Sequence, residues 1–220
     1  MRAARLLPIA LLVLLPGSAA AVCPTNTLDA SGNVLVTADA AHSTLGVYRC
    51  EYGDVVSLGH GSVGYDLAYG TITASGTTEP ECCGYGSGST HDVFTLFGPA
   101  GPALISFTAH LHVTASVTGS GTAGASLREG ASNGASYADP PGPDDATISI
   151  TIARHVGETF DLFLDYNATA CGDGDASLNG TLSFSDLPSG YAVASCQGFL
   201  SDPSVPAAPT SWGRLRAIYR

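Results

Sequence analysis

The sequence predicts an all-β chain: an antiparallel β-sandwich or jelly roll of about nine strands, followed by an extended C-terminal tail. Three observations carry this. Residues 105–117, ISFTAHLHVTASV, alternate without a break, with Ile105, Phe107, Ala109, Leu111, Val113, Ala115 and Val117 apolar and every residue between them polar. Period two over such a length marks a strand that buries one face on a core and wets the other, as antiparallel sheets do. Short runs rich in β-branched and aromatic residues recur along the chain, with Gly, Pro, Ser and Asp between them. No segment shows a helical period before the last ten residues.

The chain opens with Arg2 and Arg5 ahead of the apolar run LLPIALLVLLP, and Ala19, Ala20 and Ala21 then offer the small residues a signal peptidase reads. Residues 1–21 are expected to be a secretory signal peptide cut before Val22. The apolar run, bracketed by Pro8 and Pro16, falls short of the roughly 20 residues a membrane span needs. Residues 22–202 then form one β-sandwich domain, long enough for a core of its own. Residues 203–220 are a proline-rich linker and a short tail.

In order, Val34, Leu35 and Val36, then Leu45, Val47 and Tyr48 ahead of Cys50, mark two strands. Val63, Tyr65, Leu67 and Tyr69 alternate into a third with an aromatic face. Residues 73–92, TASGTTEPECCGYGSGSTHD, are dense in Gly, Ser and Thr and are expected to be a long loop held by its two cysteines. A strand over 93–97 stops at GPAGP, whose prolines and glycines bar a ladder, and the central strand follows. From Gly119 to Asp145 the chain is small and polar apart from Leu127 and Tyr137, and it closes in the acidic, proline-stiffened turn DPPGPDD. Ile148, Ile150 and Ile152 share a face of the next strand. Phe160, Leu162, Leu164 and Tyr166 make another, Leu178, Leu182 and Phe184 one more, and Tyr191 and Val193 lead the last into Cys196.

Every basic side chain is arginine. The six left after removal of residues 1–21 face 19 acids, a balance of about −13 that argues against nucleic acid as a partner. Cys23, Cys50, Cys82, Cys83, Cys171 and Cys196 form an even set, which in an exported chain reads as a disulfide framework of undetermined pairing. Adjacent Cys82 and Cys83 are poor partners for each other, because the small ring strains the peptide between them. If Cys171 pairs with Cys196, then Cys23 and Cys50 staple the N-terminal segment to the Cys82-Cys83 turn.

Candidate chemistry is sparse. His110 and His112 share the outward face of the central strand at a spacing used by metal pairs, yet the first acid after them is Glu129, so a third ligand is missing and they read more simply as a solvated, pH-sensitive patch. Asp139, Asp144 and Asp145, and again Asp161, Asp165, Asp173 and Asp175, make oxygen-rich segments that could hold a structural calcium, without the glycine and glutamate of an EF-hand loop. No other cofactor is expected. No GxSxG elbow, HExxH or phosphate-cradling loop appears, and no catalytic residue is assigned. Tyr48, Tyr65, Tyr69 and Tyr85 could line a sugar-stacking face.

The tail differs in kind. Pro203, Pro206 and Pro209 extend the linker, and SWGRLRAIYR sets Trp212, Leu215, Ile218 and Tyr219 near one side of a short helix flanked by Arg214 and Arg216. So short a helix needs a partner surface, which makes it a candidate docking or sorting element.

The segment LSFSDLPSGYAVASCQGF, following FTLFGPAGPALISFTAHLHVTASV, resembles the C-terminal part of bacterial PEP-CTERM-type exported proteins, which close a β-domain with an LPxGYxV turn before a VPEP sorting signal. The resemblance covers residues 92–220. VPAAP at 205–209 stands near the place of that signal, without its Glu and without a membrane-spanning helix after it. The resemblance implies a bacterial envelope or matrix protein of unassigned activity. The expectation is a secreted, non-enzymatic cell-envelope or extracellular-matrix protein whose partner is an envelope protein or an extracellular glycan. A carbohydrate-binding module and a metal enzyme built on His110 and His112 are the alternatives.

Overall fold

A computed structural model describes residues 26–30, 35–38, 42–52, 55–78, 83–131, 133–139 and 142–202. These form thirteen strands and no helix: β1 (Asn26–Ala30), β2 (Leu35–Ala38), β3 (His42–Tyr52), β4 (Val55–Asp66), β5 (Thr71–Thr78), β6 (Cys83–Phe97), β7 (Ile105–Thr118), β8 (Thr122–Glu129), β9 (Asn133–Asp139), β10 (Gly142–Arg154), β11 (Thr159–Cys171), β12 (Asp175–Ser185) and β13 (Ala192–Ser195). They pair into two antiparallel sheets. The first runs β2-β1-β6-β11-β8-β9, with β13 also on β6, and the second runs β10-β7-β12-β5-β4-β3. The protein is an antiparallel β-sandwich.

The alternation of 105–117 does what it predicts. In β7 the side chains of Phe107, Ala109, Leu111, Val113, Ala115 and Val117 are all buried, and the intervening residues face outward. β10 and β12 flank this strand in unbroken register. The inward isoleucines of β10, with Phe160, Leu162 and Leu164 of β11 and Leu178 and Leu182 of β12, fill the space between the sheets.

Three expectations fail because residues that favour turns were read as turns: glycine and small residues in two of them, proline and aspartate in the third. Residues 73–92 are not a loop: 73–78 are most of β5 and 83–92 the first ten residues of β6, with 79–82 outside the described residues. In β6 the inward positions are Gly84, Gly86, Gly88, Thr90, Asp92, Phe94 and Leu96. Gly86 is there because the sheets nearly touch, a Cβ on it standing 2.2 Å from the Ser62 carbonyl oxygen of β4; Gly88 is there because its cross-strand partner Tyr166, on β11 of the same sheet, lays its ring over it, 2.3 Å from where a Cβ would stand. Tyr166 fills that space and its hydroxyl donates to the Gly64 carbonyl at 3.0 Å. Burial pushes the Tyr166 phenol well above its usual pKa, with nearby Tyr65 adding to the shift, so it stays a neutral donor. After Gly119, the small, polar stretch forms the paired strands β8 and β9, whose inward residues in β8 are Ala123, Ala125 and Leu127. Asp144 and Asp145 lie not in a turn but in β10, opposite Ala115 and Thr114. Among the described residues there are thirteen strands where about nine were expected.

Candidate functional site

The second sheet turns an orderly polar surface outward. Thr147, His112, Thr181 and Thr71 lie side by side across β10, β7, β12 and β5. The neighbouring ranks are Ser149, His110 and Ser183 on one side, and Asp145, Thr114, Asn179 and Thr73 on the other. Period two puts every such residue on the water side, because its neighbours Ile148, Leu111, Leu182 and Ile72 are held in the core.

His110 is the best-fixed group on this face. Asp186, in the left-handed region at φ 62°, accepts hydrogen bonds at Oδ2 from the hydroxyls of Ser185 (2.8 Å) and Thr108 (3.0 Å). These two bonds, with a smaller contribution from His110, hold the exposed Asp186 carboxyl below the usual range. Ser185 donates its hydroxyl hydrogen to Asp186, so at 2.7 Å from His110 Nε2 its oxygen is left to accept from the ring. His110 Nδ1 lies 2.7 Å from Ser149 Oγ. Both nitrogens are occupied. His112 turns toward β10, with Nδ1 3.3 Å from Thr147 Oγ1 and Nε2 3.5 Å from Asp145 Oδ1. The HxH pair therefore meets cross-strand hydroxyls and one carboxylate instead of a shared centre. Among the described residues, no three His, Cys, Asp or Glu side chains converge as a metal site.

The acids named for calcium are dispersed. Asp161 pairs with His91 at 2.7 Å, and Asp165 accepts from Arg128 at 3.0 Å and Ser89 at 2.6 Å, both on the outward face of the first sheet. There the Phe163 ring stacks on His91 with centroids 4.2 Å apart, and the Arg128 guanidinium lies 5.0 Å from its centroid. Asp144 accepts from the Tyr137 hydroxyl at 2.9 Å, and Asp173 and Asp175 belong to the β11–β12 turn and the start of β12.

The tyrosines do not assemble a stacking face either. Tyr65 is in the core, Tyr69 is 76% exposed in the turn after β4, and Tyr85 lies on the outward side of the first sheet; the side chain of Tyr48 falls outside the described residues. The pairing Cys171–Cys196 is replaced by Cys83–Cys171, whose Cα atoms stand 4.1 Å apart as direct partners at the ends of β6 and β11. Cys196 is itself disulfide-bonded. Cys23 and Cys82, the Cys50 side chain, the leader 1–21 and the tail with Trp212, Arg214, Leu215, Arg216, Ile218 and Tyr219 lie outside the described residues. The LPSGY turn at 187–191, with Ser201 and Asp202, walls an open cleft of about 580 Å³.

Two features escaped the sequence reading. The hydroxyl ranks were visible as the polar halves of TISITI, LNGTLSFS and TITASGTT, each almost wholly Ser and Thr. Asp92, only 3% exposed, could be found only once β6 was known to be a strand. Val93 N–H donates to its Oδ1 at 2.8 Å, while Oδ2 makes no hydrogen bond of normal geometry. Burial raises its pKa to about 7, against the smaller opposing pulls of Ser195, Val93 and Gln197.

Compared with models of known families and with curated proteins, the chain matches none.

Proposed function

We propose that the chain is an exported, non-enzymatic β-sandwich protein of the bacterial cell envelope or extracellular matrix, engaging an envelope partner through residues 203–220. The observation that carries this reading is the Cys83–Cys171 clasp between the two central strands of the first sheet, a bond that persists in oxidising compartments and accords with the export pattern of residues 1–21. The outward faces support it too, since their polar groups are engaged with one another across strands. The metal-enzyme alternative loses support from the hydrogen bonds that occupy both nitrogens of His110. Fractionation of the native host, with intact mass of the recovered protein, tests export. The expected species starts at Val22 and carries its disulfides; a reduced cytoplasmic chain retaining residues 1–21 overturns the reading. Deleting residues 203–220 is expected to move the protein from its envelope site to the medium, and unchanged localisation removes the role of the tail.

A further inference from the structure

We propose that the outward face of β10, β7, β12 and β5 is a binding surface for a neutral, polyhydroxylated polymer, an extracellular polysaccharide. The proposal deepens the matrix reading and rests on it, because it requires the chain to work outside the cell.

The distribution of charge is the first argument. The chain carries 19 acids, yet no carboxylate or arginine occupies an outward position of β7 from Ser106 on, of β5, or of β12 from Ser177 on. The acids border it, at Asp145 on the edge strand β10, at Asp66 on β4 beside Thr71, at Asp175 where β12 starts and at Asp186 just past its end. A neutral face on an acidic body offers no counterion release to nucleic acid, and the net negative charge repels anionic polymers. It has neither the apolar nor the cationic side chains that hold a membrane surface.

Composition is the second. The cores of protein interfaces are enriched in aromatic residues, Met and Arg, and this face has none of them outward. It has hydroxyls, an amide and two imidazoles, groups that donate and accept at once, as sugar hydroxyls do. Strand geometry sets them in a repeat of about 4.8 Å across strands and about 6.7 Å along them. No bulge interrupts the pairing of β7 with β10 or with β12, so the ranks stay aligned.

Thr181 stands mid-face, exposed, between His112 and Thr71, and its replacement by arginine leaves the core untouched. The test uses residues 22–220 with disulfides intact, passed over immobilised neutral glucan, galactomannan and xylan, with alginate as the anionic contrast. The expected result is retention on at least one neutral polymer that survives 1 M salt, where the Debye length is about 3 Å. Thr181→Arg should weaken it by about tenfold or more, while Thr122→Arg, on the opposite sheet, leaves it unchanged. Thermal unfolding of both variants should match the parent, as exposed substitutions usually do. No retention on any neutral polymer overturns the proposal, as does retention that Thr181→Arg leaves intact. A salt-resistant dimer that Thr181→Arg dissociates gives the face to a second copy and overturns it as well. These outcomes leave the export reading standing, whereas a cytoplasmic protein removes that reading by itself.

Discussion

The two ends of the core are built on opposite principles. At one end Phe94, Phe107, Phe160, Phe184 and Phe199 meet with ring centroids 5.6 to 6.1 Å apart. At the other, Gly84 and Gly86 of β6 lie against Gly76 and the backbone of β4, with Ala168, Ala170 and Ala176 around them. The first end is held by apolar area, since each buried aromatic removes about 150–250 Å² from water. The second has little side-chain area to remove. It is held by close backbone approach and closed by the Cys83–Cys171 bond at its extremity. One end should therefore tolerate changes of shape, and the other should tolerate none.

The largest expected effect breaks the glycine end. Gly86→Val places carbon where a backbone oxygen stands, and because the neighbour is not a movable side-chain tip, the sheets must part. The cost should exceed about 4 kcal/mol and in practice abolish folding. Urea unfolding of the soluble fraction checks it: a loss of only about 1 kcal/mol would show that the sheets separate easily there.

Asp92 stands between the two ends, and its effect is next. An unfolded aspartate titrates near pH 3.9, and this one is held up to about 7 by burial. The folded chain binds this proton more tightly, so the contribution of Asp92 to stability is greatest below about pH 4 and falls as pH rises to about 7, by about 4 kcal/mol in all. Asp92→Asn keeps an acceptor for Val93 N–H and cannot ionise. It should flatten that decline and be the more stable protein at pH 8. Unfolding free energies measured at pH 4, 6 and 8 decide the matter, and parallel profiles for the two proteins would mean that the carboxylate finds solvent.

Loss of the clasp sharpens the comparison further. Cys83→Ala with Cys171→Ala opens a ring spanning 88 residues, and should cost about 4 kcal/mol, chiefly through the unfolded chain. The loss should also be local. Hydrogen exchange at 84–88 should speed up more than exchange at Phe94, whose protection comes from ring packing.

The same contrast explains what could be read from the sequence. The aromatic end is spelled by alternation, and β7, β10, β11 and β12 were legible because their inward residues are large. The glycine end alternates just as strictly, Gly84, Tyr85, Gly86, Ser87, Gly88, but its inward residue has no side chain, and the rule that equates Gly and Ser with turns wins by default. β8 and β9 were lost in the same way, through Ala123, Ala125 and Ala135. The histidine pair was placed on the correct face from periodicity alone. Its partners were not, because Ser149, Ser185 and Asp186 come from other strands and depend on a register that one sequence does not encode locally.

The smallest effect is the most discriminating. Phe107 touches Phe160 and Phe184 and is 1% exposed, so Phe107→Leu removes several carbons from the middle of the aromatic end. The rings of Phe160 and Phe184 border the gap and can shift into it, and the cost should stay at about 1.5 kcal/mol. Gly86→Ala adds a single methyl, and against a carbonyl oxygen 2.2 Å from the new carbon nothing can shift without moving a strand. It should cost more than Phe107→Leu. Thermal midpoints of the two proteins, taken side by side, give the order directly, and a glycine variant more stable than the leucine one would mean that the sheets are spaced by the aromatic rings along their whole length.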